Sequence, residues 1–136
     1  MKKVFFAIFF ISFTNLFAQE NDKHSIDIFL DNCVEENQTM SGSAYCYSEA
    51  QEKWDEELNR VYQELRSKLN ANQNKVLKDA QLKWIVFRDA EFDLLDVVYS
   101  TLQGTIYLAD LAYYKMVIVK NRVLELENYL FTIDNY

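Results

Sequence analysis

The sequence predicts an all-α fold, an up-down-up antiparallel three-helix bundle with an N-terminal arm tied on by a disulfide. The 136 residues contain no proline and only two glycines, which disfavours a turn-rich β-sandwich. Apolar residues recur every three or four positions along three long stretches, as in helices with one buried face. The two cysteines lie before and at the start of the first stretch, where a bridge would attach the arm.

Residues 1–18 are predicted to form a cleavable signal peptide. Lys2 and Lys3 precede an apolar run at residues 4–13, and the small residue Ala18 precedes the expected cleavage point. The run is shorter than a membrane-spanning helix requires, and Gln19 stands where a bacterial lipoprotein would have its attachment cysteine. We therefore expect a soluble periplasmic or secreted product that has no contact with the membrane after cleavage.

Residues 19–38 are predicted to form a polar arm, in which a short apolar patch at residues 26–30 can pack as one helical turn. Cys33 and Cys46 are the only cysteines, and an oxidising compartment favours a disulfide between them. Such a bridge is worth about 3 kcal/mol on the chain-entropy estimate. His24 is the only histidine and is assigned no role, because one histidine cannot build a Cys/His nucleophile or a histidine-rich metal centre.

Residues 39–136 are predicted to form the helical domain. The first helix covers about residues 39–69 and is followed by a polar break at residues 70–74. The second helix runs to about Tyr99, and its apolar pattern consists of Val76, Leu77, Ala80, Trp84, Phe87, Leu94, Leu95 and Val98. A break at residues 100–105 precedes a third helix that ends near Leu130. Short connections of this kind predict antiparallel neighbours.

Several polar residues lie beside the apolar stripes and are predicted to form a structural network rather than a catalytic site. They are Asp55, Asn59, Gln81, Trp84, Arg88, Asp89 and Arg122. Buried polar groups are costly unless they are hydrogen-bonded. We therefore expect Asn59 and Gln81 to bridge helices through their amides.

The two arginines of this network are expected to need acidic partners. Asp55 is the first candidate to pair with Arg88 and Arg122, and Asp89 is the alternative. Removing one partner of a buried pair should cost on the order of 3 kcal/mol, because the other charge is left without a partner.

The composition excludes several classes of function. Gly42 and Gly104 are too few to build a glycine-rich phosphate loop, so no nucleotide cofactor is predicted. Without residues 1–18 the chain has 12 basic and 21 acidic residues, a net charge of −9. This charge repels nucleic acid and favours a cationic partner, although acidity also serves solubility. No metal ion, no other cofactor and no particular oligomeric state is predicted.

Two ordered motifs resemble those of the LprI-like lysozyme-inhibitor family. Residues 54–62, Trp-Asp-Glu-Glu-Leu-Asn-Arg-Val-Tyr, contain the family's Asp-x-x-Leu-Asn-x-x-Tyr segment. Residues 77–91 contain its Gln-x-x-Trp-x-x-x-Arg-Asp segment, and Arg122 matches a later arginine. The resemblance extends from about Cys33 to Leu130 and implies an exported helical domain that binds and inhibits lysozyme.

The chain departs from the family pattern at two of its four usual cysteines. Cys33 and Cys46 match the first pair, whereas Phe92 and Tyr114 stand where the second pair is usual. An aromatic contact between Phe92 and Tyr114 is expected to replace the lost bridge.

Inhibition by the mechanism that the resemblance implies requires a surface that can occlude a cleft with catalytic carboxylates. The best candidate is the uncharged connection between the second and third helices, because an acidic helix face would be repelled. Its residues are Thr101, Gln103, Gly104, Thr105 and Tyr107. Gly104 is expected to adopt a left-handed conformation and Thr105 to cap the helix that follows.

We therefore interpret the chain as an exported acidic binding protein, and not an enzyme, with a cationic lysozyme as its partner. The alternative is an envelope interaction or structural protein that has no lysozyme target and no catalytic activity. A third interpretation is a bundle hydrolase that uses Asp55 or Glu91, since glycoside cleavage requires two spaced carboxylates.

Overall fold

The computed structural model describes residues 23–136, and the predicted signal peptide lies outside these residues. Four helices are present: α1 (Ser25–Glu36), α2 (Met40–Lys68), α3 (Ala71–Ser100) and α4 (Ile106–Asn135). The part of the chain that is described contains no β-strand, so the all-α class is confirmed. Its helices also lack an apolar stretch that is long enough to cross a membrane.

The N-terminal arm contains a helix of three turns, where the sequence predicted only one turn. Residues 23–136 therefore contain four helices rather than three. His24 caps α1, since its Nδ1 accepts the amide hydrogen of Ile26 at 3.1 Å. Ile26 is buried in the core, and the predicted disulfide joins Cys33 of α1 to Cys46 of α2 with a Cα–Cα distance of 5.7 Å. The core contact of Ile26 and the covalent bond both help to hold α1 against α2.

The core lies mainly between α2 and α4. Thr39 begins α2 by accepting the amide hydrogen of Gly42 at 3.0 Å. The buried side chains of α2 and α4 repeat at helical spacing and form one cluster. From α2 it contains Ala50, Trp54, Leu58, Val61 and Leu65, and from α4 it contains Met116, Val119, Val123, Leu126 and Leu130.

Three contacts fix the relative direction of α2 and α4. The rings of Tyr47 and Tyr113 are 5.3 Å apart, and Lys120 lies 5.4 Å from the Trp54 ring. Near the other end of both helices, Lys68 forms an ion pair with Asp134 at 2.5 Å. The residue on α4 lies 66 positions after its partner on α2 in all three contacts, so the two helices run parallel and in register.

Helix α3 is much less buried than its regular apolar spacing predicts. It starts with a capping box, in which Asn70 and Gln73 satisfy each other's backbone amides. Of its 30 residues only Leu77 is buried. Seven large apolar side chains of α3 are exposed: Val76, Leu82, Val86, Phe87, Leu94, Val97 and Val98. The helix therefore packs on the α2–α4 pair through one narrow face.

Candidate functional site

The most buried charged side chain of the described residues is Arg122 on α4, which is 8% exposed. Its Nε donates a hydrogen bond to Oε1 of Gln81 at 3.0 Å, and its Nη1 donates to Oε2 of Glu125 at 2.5 Å. The bond from Arg122 lowers the pKa of Glu125 below its ordinary value. Gln81 thus connects α3 to α4, as the sequence predicted for its amide.

Two details of the predicted network are wrong. Arg122 pairs with Glu125 rather than with Asp55 or Asp89, because Glu125 lies one turn further along the same helix. Asn59 does not bridge helices, because its side chain is exposed and donates to the backbone oxygen of Asp55 within α2 at 3.1 Å.

Arg88 forms the second part of the network, at the face of α3 that lies nearest α2. Its Nε and Nη2 donate to Oδ1 of the adjacent Asp89 at 2.9 and 2.7 Å. Oδ1 of Asp55 lies 3.8 Å from Nη1, which is too long for a hydrogen bond. Burial raises the pKa of Asp55, while Arg88 opposes that rise. The ion pair between Arg88 and Asp55 is therefore weak.

Trp84 lies between the two parts of the network. Its ring centre is 5.5 Å from the guanidinium carbon of Arg88 and 5.9 Å from that of Arg122. Both distances are in the range of cation–π contacts. The contact with Arg122 and the bond through Gln81 join α3 to α4, whereas the contact with Arg88 lies within α3. This geometry suits a helix-joining role better than proton transfer.

The predicted partner-binding loop is exposed as a whole between α3 and α4, from residue 101 to residue 105. Gly104 has a φ of 108°, a conformation that L side chains rarely adopt, so glycine is needed at this turn. The expected cap by Thr105 is wrong, since its side chain makes no capping bond and only its carbonyl accepts the amide hydrogen of Leu108 at 3.1 Å. Tyr107 is half-buried at the start of α4.

A row of tyrosines extends from this loop along the first turns of α4. Tyr114 packs against Tyr99 at 6.2 Å and against Tyr113 at 5.4 Å, measured between ring centres. Tyr113 also meets Tyr47 of α2. Tyr113 is 42% exposed and Tyr114 is 47% exposed, so aromatic surface lies open beside the loop.

Phe92 and Tyr114, which were expected to contact each other, each contact other residues. Tyr114 meets other tyrosines, whereas Phe92 is partly buried against the core and lies under two cations. Nζ of Lys115 is 5.4 Å and the guanidinium carbon of Arg88 is 5.9 Å from the Phe92 ring centre. Both arrangements still connect α3 to its neighbours.

His24, to which the sequence assigned no role, lies where α1, α2 and α4 meet. Its ring centre is 4.4 Å from that of Trp54, and its Nε2 is 4.0 Å from Glu57 and 3.9 Å from Glu127. Nearby, Lys120 of α4 donates to both carboxylate oxygens of Asp27, at 2.6 and 2.8 Å. These polar contacts border an open cavity of about 670 Å³. Histidine is not a preferred capping residue, so the sequence pattern carried no signal for this position.

One nitrogen of His24 and one carboxylate oxygen each of Glu57 and Glu127 lie within 4.8 Å of one another. Atoms at this distance could bind the same metal ion. Nδ1 of His24 accepts the Ile26 amide hydrogen, so the proton of the neutral ring is on Nε2 and points toward the carboxylates. A metal ion would need the lone pair of that nitrogen. Glu57 is already held by Arg60, whose hydrogen bonds lower the pKa of Glu57. The geometry therefore favours a histidine–carboxylate junction over a metal site.

The fold is similar to that in the crystal structure of an uncharacterized protein from Burkholderia thailandensis, with a TM-score of 0.74 and 28% sequence identity. The match covers 84% of this chain but only 56% of the other, so this chain spans little more than half of that protein's length. No match was found among curated proteins.

The family comparison identifies the two motifs on α2 and α3 as part of a longer match. The family model for lysozyme inhibitor LprI matches residues 33–126, from the first cysteine of the disulfide to the buried Leu126 of α4. This range is more than half of the chain and contains both parts of the polar network. The chain therefore belongs to the LprI lysozyme-inhibitor family.

Proposed function

We propose that this protein is an exported, non-catalytic binding protein that inhibits a cationic lysozyme by covering its cleft. The observation that carries the proposal is the family match over residues 33–126. The predicted signal peptide and the disulfide support export into an oxidising compartment, periplasmic or extracellular.

The charge of the chain supports a cationic partner. After removal of residues 1–18 the net charge is −9, and a field of this sign speeds the approach of a positively charged enzyme. Such steering is screened by salt over about 8–10 Å at physiological ionic strength. Inhibition should therefore weaken when salt is added.

The loop and the tyrosines beside it are the proposed contact surface. Residues 101–105 carry no charge, so they can approach catalytic carboxylates without repulsion. Tyr113 and Tyr114 add exposed aromatic area, a type of surface that is enriched in protein interfaces. Tyr113 and Tyr114, in the first turns of α4, are thus open to a partner.

The proposal is tested by measuring lysis of a peptidoglycan suspension by lysozyme in the presence of the purified protein. We expect inhibition at micromolar protein or below, and we expect salt to relieve it. The substitution Tyr114→Ala should weaken inhibition by roughly tenfold, the loss expected for an interface aromatic worth 1.4 kcal/mol.

Tyr129→Ala is a matched control, because Tyr129 lies on the same helix and is also 47% exposed, but lies near the opposite end. If both variants lose inhibition equally, the contact surface is not at the loop. No effect of the wild-type protein at micromolar concentration would instead favour an envelope interaction or structural role. Breakdown of peptidoglycan by the protein alone would indicate a hydrolase.

A further inference from the structure

The exposed side of α3 carries a regular seam that no other part of the described chain covers. We define the α3 seam as the residues whose spacing alternates between four and three along this side. They are Val76, Ala80, Lys83, Phe87, Ala90, Leu94 and Val97, and all seven are exposed. Six of the seven are apolar over three heptads, the pattern with which one helix packs against another.

The charges of α3 are divided between its two halves. Residues 71–88 contain four basic side chains and one acidic side chain, Asp79. Residues 89–100 contain four acidic side chains and no basic one. Two copies of α3 placed antiparallel would set the basic half of each copy against the acidic half of the other. A parallel arrangement would set like charges together.

The shape of the surface agrees with the same arrangement. Val76 and Ala80, at the N-terminal end of the seam, border an apolar groove of about 420 Å³. Side chains from the ends of α2 and α4, among them Leu69 and Ile133, complete the groove. An antiparallel second copy would bring the apolar C-terminal end of its own seam, with Leu94, to this groove.

We propose that the α3 seam binds a second copy of this chain, forming a two-fold symmetric, antiparallel helix pair. A two-fold pair uses the same surface on both subunits, so the charge division along one helix is enough to make the contact self-complementary. This contact needs no lysozyme, so it does not depend on the proposed function.

The proposal is tested with protein expressed from the full sequence, in the processed form that accumulates. Its mass in solution is measured by light scattering and analytical ultracentrifugation from micromolar concentration upward. We expect a dimer. Phe87→Glu, at the centre of the seam, should weaken dimerisation by roughly tenfold or more.

Phe131→Glu is the matched control, because Phe131 is exposed to a similar degree (64%, against 53% for Phe87) but lies on α4. Circular dichroism of both variants checks that each remains helical. A monomer at every concentration would overturn the proposal. Loss of the dimer with Phe131→Glu but not with Phe87→Glu would also overturn it, since the contact would then lie on α4.

Charge reversal tests the antiparallel direction. Lys83→Glu alone should weaken the dimer, and so should Glu91→Lys combined with Asp93→Lys. All three substitutions together should restore much of it, because position 83 is then acidic and faces the basic positions 91 and 93 of the other copy. Failure of the triple variant to recover would contradict the antiparallel arrangement.

Discussion

At the scale of single residues, the contribution of Arg122 to stability depends on how far its bonding partners are exposed. Arg122 is buried, but its acidic partner Glu125 has a side chain that is 48% exposed. A partner that reaches solvent is not left in a low-dielectric interior when the arginine is removed. The cost of losing Arg122 is therefore expected to come mainly from the unsatisfied Gln81 and from lost packing on Trp84.

We predict that Arg122→Ala lowers the free energy of unfolding by about 2 kcal/mol, less than the 3 kcal/mol expected for a stranded buried charge. Arg122→Met should cost less than Arg122→Ala because it keeps apolar packing against Trp84. Urea unfolding at neutral pH measures both variants. Equal losses would show that packing on Trp84 contributes little.

The same ion pair predicts a pH dependence. Because Arg122 lowers the pKa of Glu125 in the folded state, the pair contributes stability above the ordinary value of 4.5. That stability is lost as the pH falls through the lowered pKa. The difference in unfolding free energy between wild type and Arg122→Met should therefore narrow in acid. An unchanged difference between pH 7 and pH 3 would contradict this assignment.

Asp55 is predicted to behave in the opposite way. Its pKa is raised mainly by burial, so the folded state holds the proton more tightly than the unfolded state. The ionised carboxylate therefore destabilises the fold above the ordinary pKa of 3.8, and stability from this group increases as the pH falls.

Asp55→Asn should consequently be at least as stable as wild type at pH 7. Any gain in its free energy of unfolding over wild type should disappear below pH 3.8, where Asp55 is protonated in both states. Thermal unfolding across this pH range is the measurement, with the exposed Asp89→Asn as control. A clear loss of stability in Asp55→Asn at neutral pH would show that its pairing with Arg88 outweighs burial.

At the scale of the helices, apolar spacing predicted the second, third and fourth elements well. The first helix was predicted for residues 39–69 and is α2 (Met40–Lys68), and the polar break at residues 70–74 contains the capping box of α3. Spacing could not predict which apolar faces pack against another helix. The regular pattern on α3 therefore predicted a row of buried side chains, whereas Leu77 is the only residue of α3 that is buried.

The arm and the site show a second limit of sequence reasoning. The sequence predicted only one turn of helix α1. Its buried face is short and depends on contacts with α2 and α4, which the sequence does not show. The role of His24 depends on Trp54 and on two glutamates that are distant in sequence. The loop with Gly104 was predicted correctly because a turn of this kind depends on local backbone conformation, for which glycine is a direct sequence signal. The sequence predicted an inter-helix role for Gln81 and an acidic partner for Arg122, but it did not predict that the two residues bond to each other.

Limited burial of α3 predicts unequal protection from hydrogen exchange. Helices with few buried contacts open with a smaller free energy than those in the core. We expect the amides of α3 to exchange faster than those of α2 and α4, with the slowest ones near Leu77. Measuring exchange at two protein concentrations separates intrinsic opening from protection by a second copy. Equal protection of all three helices in dilute solution would contradict this prediction.

At the scale of the whole molecule, the parallel α2–α4 pair is the rigid centre to which the other helices attach. Helix α1 is attached through Ile26, through the ion pair of Asp27 with Lys120 and through the disulfide. Loss of the disulfide should therefore release α1 without unfolding the α2–α4 core.

We predict that Cys33→Ala combined with Cys46→Ala lowers the free energy of unfolding by about 3 kcal/mol. The chain should stay largely helical, because the main core lies outside the closed loop. Guanidinium unfolding and circular dichroism measure these two expectations. Complete loss of helix in the double variant would show that α1 is required for the core to form.

Under the proposed export, the disulfide ties formation of the final structure to an oxidising compartment. Trp54 has no exposed surface, and the ring of His24, at the start of α1, lies directly against it. In a reducing cytosol the two thiols would remain reduced, and α1 would lack its covalent anchor. Oxidation after export would then act as a checkpoint that closes α1 over Trp54, and tryptophan fluorescence could follow this event in real time.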